Sequence, residues 1–237
     1  MAHKRFFVEK ITPETIISGE EYSHAKNVLR VNVGDEIVLL DNSGKEYDAV
    51  INSIGKNQIV CRIISEKVGD KESKTQVTLL CGALKGDKTE LIVQKATELG
   101  VSEIFVFNSK FCSAYMNENK IERLNKVAKE ASKQCLRSKA PQVSYFDKFE
   151  NALNCAKDRE NKIFACEFAQ KSDIDLKTLC GSCALVVGSE GGFSQEEFEL
   201  AQNLGYNGVT LGKRILRAET AAITLTSIVM FSLGEMQ

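Results

Sequence analysis

Gly188-Ser189-Glu190-Gly191-Gly192-Phe193-Ser194 follows the apolar run Ala184-Leu185-Val186-Val187. Ser194, with Glu197 three residues on, is a helix-start signal. A second stretch echoes the first: Leu211-Gly212-Lys213-Arg214-Ile215-Leu216-Arg217-Ala218-Glu219-Thr220-Ala221. It too is a glycine turn after a short apolar run and before a helix. Strand, glycine turn and capped helix are the parts of a parallel α/β sheet, whose ligands bind beyond the carboxyl ends of the strands. Two such loops predict an α/β domain that grips a ligand with backbone groups.

Upstream, the same alternation extends back to Gln76. Strands are expected at Val77–Cys81, Ile104–Phe107, Ile163–Cys166 and Ala184–Val187, and a short one near Val209–Leu211. A helix is expected over Asp87–Leu99, with Asp87 as N-cap, Glu90 as its capping-box partner and Gly100 past its end. A longer one covers Asn117–Arg137, where Ile121, Leu124, Ala128, Ala131 and Cys135 recur at steps of three and four. The last helix, about Glu219 to Leu233, is apolar nearly all round and must be covered on all sides, within the monomer or in a dimer. Residues Phe6 to Lys67 differ: short strands at Glu36–Leu40, Tyr47–Ile51 and Ile59–Ile64 are punctuated by Asn, Asp and Gly. That pattern predicts a small barrel or sandwich with one helical insertion around Glu20–Leu29. The charged stretch Glu66–Thr75 serves as linker, which divides the chain into residues 1–70 and 71–237.

The charges nearly balance, 31 basic against 32 acidic residues, so any nucleic-acid surface must come from local clustering. The N-terminus lacks a signal-peptide core, and Ala221–Phe231 is too short and too rich in Thr and Ser to span a bilayer. The expectation is a cytoplasmic protein. The eight cysteines are spread along the chain, several within apolar runs, and read as reduced and buried. Cys180 and Cys183 alone have ligand-like spacing, but they lead into a strand and have no second pair, so no metal is expected.

The first loop is not a phosphate loop. It lacks the Lys-Ser/Thr ending of a P-loop and the three-glycine dinucleotide spacing. Glu190, Glu196 and Glu197 stand where an anion would bind at the helix N-terminus. That charge favours a neutral or cationic ligand. S-adenosylmethionine, a sulfonium on a phosphate-free adenosine, fits better than a nucleotide. The alternative is a tight structural turn. In the second loop, Arg214, Arg217 and Glu219 crowd the start of a very apolar helix. Two arginines can clamp a phosphate or polarise a carbonyl oxygen, and a glutamate can accept a proton. A solvated Glu–Arg pair is compatible with the same spacing.

These two loops together resemble the C-terminal signature of the ribosomal RNA small subunit methyltransferase E family, part of the SPOUT superfamily. His24-Ala-Lys-Asn-Val-Leu-Arg30 with Val33-Gly34-Asp35 resembles its PUA-like N-terminal β-barrel domain. Lys85-Gly-Asp-Lys88, Gln94-Lys-Ala-Thr-Glu-Leu-Gly100, Glu130-Ala-Ser-Lys-Gln134 and Arg137 extend the match along the chain. There are two departures: Ser189 stands where the family commonly has proline, and Ala218 where threonine is common. Neither removes a charged or glycine position.

The resemblance implies a SPOUT domain over 71–237 with a mostly parallel sheet and a trefoil knot, an exception to the rule against knots. It implies a homodimer that methylates N3 of a uridine in 16S ribosomal RNA or the small ribosomal subunit. S-adenosylmethionine would be held by Val187, Gly188, Glu190, Gly191 and Gly192, and by Leu211, Gly212, Ile215 and Leu216. Removing the N3 proton leaves an imide anion. Arg217 is expected to stabilise charge on a uracil oxygen, and Glu219 to act as base or to hold the arginine. Arg30, Lys85, Lys88 and Arg137 are the expected phosphate contacts, with His24 as an RNA or structural contact. Lys126, Lys129 and Lys133 give the long helix a basic side. Two other functions are compatible with the fold: methylation at another RNA position such as a ribose 2′-hydroxyl, and non-catalytic RNA binding in ribosome assembly.

Overall fold

The computed structural model describes residues 4–167 and 174–236. The chain forms two compact units, Met1–Glu72 with Ser132–Ala140, and Ser73–Ala131 with Pro141–Gln237.

In the first unit, β1 (Lys4–Phe7) and β2 (Glu14–Ser18) precede a short α1 (Gly19–Ser23) that continues as a π-helical turn, His24–Val28. Then come β3 (Glu36–Leu40), β4 (Lys45–Ile54) and β5 (Gln58–Val68). They pair in the order β1-β3-β4-β5-β2, with β1 and β3 parallel and the other pairs antiparallel. Alternate residues fill the core: Phe6, Ile17, Ile37, Leu39, Ala49, Ile51, Ile59 and Cys61 meet Tyr22 and Ala25 from the helical insertion.

The second unit is a six-stranded, wholly parallel sheet. Its elements are β6 (Val77–Gly82), α2 (Lys88–Glu98), β7 (Glu103–Phe107), α3 (Glu118–Gln134), β8 (Gln142–Phe146), α4 (Phe149–Cys155), β9 (Asn161–Ala165), β10 (Cys183–Val187), α5 (Gln195–Asn203), β11 (Asn207–Val209) and α6 (Ala218–Ser232). The order β11-β9-β10-β6-β7-β8 means that the chain winds outward from β6 to β8, then returns to the other side of β6. The carboxyl ends of β6 and β10 therefore lie side by side where the winding reverses, the usual place for a ligand crevice. The central strands are apolar throughout because both faces are covered. Leu79, Cys81, Leu185 and Val187 face α2, α3 and α6, while Leu80, Ala184 and Val186 face α4 and α5.

Two local expectations need correction. Asp87 makes no side-chain cap; the Thr89 hydroxyl bonds the Leu84 N–H at 3.0 Å instead, and Glu90 pairs with Arg123. β11 ends at Val209, so Thr210 and Leu211 belong to the loop after it. The box at Ser194 and Glu197 forms in both directions. On α6, Ala222, Leu225, Val229 and Met230 are buried, but Ile228 and Phe231 remain exposed.

The stretch Ser132–Ala140 belongs to the first unit, and this changes the reading of two basic residues. Glu72 accepts hydrogen bonds from Arg137 Nε and Nη2 at 3.1 and 2.9 Å, and from the N–H groups of Ser138 and Lys139. Arg137 is only 5% exposed, so its charge meets a carboxylate rather than an RNA phosphate. Lys133, counted on the basic face of the helix, is likewise buried against Glu21 at 3.1 Å. The helix ends in a Schellman turn, with the Arg137 N–H on the Ser132 carbonyl and Leu136 left-handed at φ +65°.

Two stability changes follow from this corner. Leu136→Gly relieves the left-handed strain and raises stability by about 0.5–1 kcal/mol, net of the extra freedom of glycine in the unfolded chain. Arg137→Ala strands the Glu72 carboxylate and lowers stability by about 3 kcal/mol or more. Urea unfolding followed by circular dichroism measures both. An unchanged midpoint for Arg137→Ala, with weakened RNA binding, restores the phosphate role.

Candidate active site

Three loops meet at the carboxyl end of the parallel sheet where the winding reverses: those after β6, β7 and β10. The loop after β10 is anchored by Phe193, whose ring lies among Phe107, Phe149 and Phe164, the last at 4.4 Å between centroids. That ring explains Gly188, where a Cβ would stand 2.9 Å from Phe193. Gly191 is explained by Phe111 of the β7–α3 loop, whose Cβ and carbonyl oxygen a side chain would meet at 2.6 and 2.7 Å. Gly192 closes the turn at φ +66°, its N–H on the Ser189 carbonyl at 3.0 Å. The glycines thus first let protein segments approach one another.

Gly82, which the motifs did not single out, is the tightest of these contacts. A Cβ there would collide with the backbone nitrogen of Ser189. It ends β6, and its neighbour Cys81 is in register with Val187 of β10. The sequence signal was an ordinary strand ending in glycine, which becomes informative only once β6 and β10 are known to be neighbours.

The acidic residues are also engaged by protein. Glu190 accepts from Lys88 Nζ at 3.1 Å and from the Lys85 N–H at 3.2 Å. Burial pushes its carboxyl up, but the Lys88 ammonium and the backbone N–H groups outweigh it and hold the pKa below the usual range. Glu197 accepts from the N–H groups of Lys110 and Ser194, while Glu196 pairs with Lys110 Nζ at 3.2 Å. Ser194, the local backbone and Lys110 bring Glu196 down to about 2. The argument that these acids repel an anion and invite a cation is therefore corrected: their charges are answered locally, and Glu190 braces the β6 loop against the β10 loop.

The loop after β11 lies two strands from β10, about 10 Å across the sheet. Gly212 is left-handed at φ +97° and faces open space. Ile215 is 92% exposed, with Leu211 and Leu216 half-buried beside it in sequence. Arg217 is the N-cap of α6, exposed and without an ion pair among the described residues. Glu219 sits in the first turn of α6, and its Oε2 is buried with no hydrogen-bond partner among the described residues. The hydroxyls of Ser189 and Ser109 are buried in the same condition.

The other basic positions separate. Lys85 is exposed and Lys88 is paired with Glu190. His24 and Arg30 lie in the first unit: His24 Nδ1 is buried without a partner among the described residues, and Arg30 is exposed with φ +48°. Cys180 is exposed, whereas burial in β10 pushes the Cys183 thiol up to about 11. Among the described residues no group of three or more His, Cys, Asp or Glu could hold a metal, and no helix is long and apolar enough to cross a membrane.

Gly82→Ala is the sharpest test of this geometry. The added methyl must push the Gly188–Ser189 backbone away, so ligand affinity at this end of the sheet falls by about tenfold or more, roughly the effect of 1–3 kcal/mol of overpacking. Calorimetric titration with S-adenosylmethionine reads the change, and an unaltered affinity rules out a tight β6–β10 approach.

Residues 71–230 match the model of an RNA methyltransferase domain, and residues 17–64 that of an RNA methyltransferase PUA domain. The ribosomal RNA small subunit methyltransferase E of Bacillus subtilis is 33% identical, with 96% of each chain covered. That of Mesomycoplasma hyopneumoniae is 34% identical over 93% of this chain and 96% of its own. Among solved structures, the Neisseria gonorrhoeae methyltransferase E bound to S-adenosyl methionine superposes with a TM-score of 0.84 at 27% identity, covering 98% of both chains. A Legionella pneumophila protein solved with bound cofactor SAM gives 0.89 at 28%, again over 98% of both. With the two loops, the parallel sheet and full-length relatives in agreement, the chain belongs to the ribosomal RNA small subunit methyltransferase E family.

Proposed function

We propose that this protein transfers a methyl group from S-adenosylmethionine to N3 of a uridine in 16S ribosomal RNA. One observation carries the reading: Arg217, without an ion pair among the described residues, and a buried Glu219 oxygen, without a partner among them, lie at the start of α6, just after the Gly212 loop. A buried polar atom without a partner is costly, and such atoms concentrate where a ligand completes the bonding.

The residues fit the cofactor. The floor is apolar at Val187, and the open space at Gly212 leaves close approach to the backbone possible. The Ser189 hydroxyl is unsatisfied, and Leu211, Ile215 and Leu216 offer apolar cover for an adenine. Glu190 acts indirectly in this reading, through its tie to Lys85 and Lys88.

S-adenosylmethionine supplies an electrophilic methyl carbon on a sulfonium. The chain must position N3 in line with it and remove the N3 proton. Glu219 Oε2 accepts that proton, directly or through a water, and the N3 lone pair then forms the N–C bond as the S–C bond breaks. The uracil oxygens carry the transient imide charge, and the Arg217 guanidinium stabilises it. Products are N3-methyluridine, S-adenosylhomocysteine and a proton. Residues 1–70 serve as the RNA-binding domain, with Arg30 and His24 as contacts. The exposed Ile228 and Phe231 of α6 support a homodimer, and the location is the cytoplasm.

Arg217→Ala and Glu219→Gln are each expected to lower turnover by about 10²–10³-fold while keeping affinity for the cofactor. Methyl transfer to 16S RNA from cells lacking the protein provides the assay, with mass spectrometry of the product. Near-normal turnover in either variant removes that residue from the mechanism. Methylated RNA that no longer blocks reverse transcriptase points to the ribose instead of N3, and absence of cofactor binding points to a non-catalytic role.

A further inference from the structure

The β7–α3 loop borders a second recess, of about 280 Å³, walled by residues 84–90 and 113–124. Its lining carries Lys85, Lys120 and Arg123 against one carboxylate, Glu90, which Arg123 Nε meets at 3.0 Å. Tyr115 also lines it and is 72% exposed, and Phe111, four residues earlier, is 49% exposed. Each ring has an ammonium beside it: Lys110 Nζ stands 5.9 Å from the Phe111 centroid, and Lys120 Nζ 5.7 Å from that of Tyr115. Lys120 Nζ also donates to the Tyr115 carbonyl at 2.5 Å, and its N–H donates to the Asn117 side chain. The first turn of α3 therefore holds Tyr115 in place.

The chemistry of the recess selects its occupant. Three cations against one acid favour a polyanion over an apolar protein segment. An exposed aromatic face beside them favours a base, and only an unpaired base offers its own face. A volume near the low end for ligand pockets suits one nucleotide. Lys85 joins this recess to the loop after β10, because its N–H is held by Glu190. We propose that the recess is a subsite for one unpaired nucleotide of the RNA next to the modified base, stacked on Tyr115 with its phosphates on Lys85 and Lys120. The proposal rests on the reading of the chain as an RNA methyltransferase and adds a specificity site to it.

Fluorescence anisotropy with a labelled oligouridine of roughly ten nucleotides tests it on the full chain. Tyr115→Ala should weaken binding by about 5- to 150-fold, the range of one lost base–aromatic stack. Tyr115→Phe keeps the ring and should bind as the wild type does. Lys85→Gln should reduce the salt slope by about 0.7, one phosphate contact on a single strand. Photo-crosslinking of the wild-type protein to 4-thiouridine-substituted 16S RNA gives a readout that no misfolded variant can disturb, with adducts expected between residues 108 and 124. Wild-type affinity in Tyr115→Ala, or adducts confined to residues 1–70, overturns the subsite. Oligouridine binding that depends on Tyr115 in a protein that fails to bind S-adenosylmethionine supports the subsite and overturns methyl transfer.

Discussion

The backbone of the β10 loop lies so close to the end of β6 that residue 82 has no room for a side chain. This contact exists because the winding of the sheet reverses between two parallel neighbours, β6 and β10. Here the loops come from segments about a hundred residues apart, and nothing covalent holds them together. Glycine at 82 lets them touch, glycine at 191 admits Phe111 of the β7–α3 loop, and the Phe193 ring and the Glu190 carboxylate fix the β10 loop in place. The crevice is then a consequence of topology, and its walls are preorganised before any ligand arrives.

The same bracing revises the electrostatic picture. Glu190, Glu196 and Glu197 are acids at the mouth of a loop, and as a bare sequence they look like a field for a cation. Each is instead matched to an ammonium or to backbone N–H groups, so the net local charge is small. Arg217 has no ion pair among the described residues, and in the recess Lys85, Lys120 and the Glu90-paired Arg123 outnumber the one acid. A polyanionic substrate can approach a surface of that kind, which the near-neutral chain as a whole does not advertise.

Much of this was legible in the residues. β6 and β10 are buried on both faces, so their apolar runs stand out in the sequence. Ser194 and Glu197 signal a helix start by chemistry that is entirely local. β1, β2 and β8 left no comparable trace, because each is a sheet edge and mixes polar residues such as Lys4, Glu14 and Gln142 with apolar ones. α4 was missed because it is two turns long and its N-cap, Lys148, makes no side-chain cap. Asp87 and Glu90 have the right spacing for a capping box, yet the Glu90 carboxylate pairs with Arg123, which lies 33 residues away in sequence. Arg137 shows the deeper limit: its motif is clear, but its partner Glu72 lies 65 residues away, and only the fold decides whether an arginine faces a phosphate or a carboxylate.

Unsatisfied buried groups gather at the crevice, which the motifs alone do not show. At the corner around Glu72, the arginine and two backbone N–H groups converge on one carboxylate. Around the crevice the pattern inverts. The Ser189 and Ser109 hydroxyls and Glu219 Oε2 are buried without partners among the described residues. Of the five such atoms among the described residues, three lie here, and the other two, Arg5 Nε and His24 Nδ1, lie in the first unit. The physical gain from such an arrangement comes only when a ligand with complementary donors and acceptors enters, because the desolvation of the protein groups has already occurred in folding. Glu219 Oε2 is in that condition among the described residues, an acceptor that a donor on an entering ligand meets without further reorganisation of the protein.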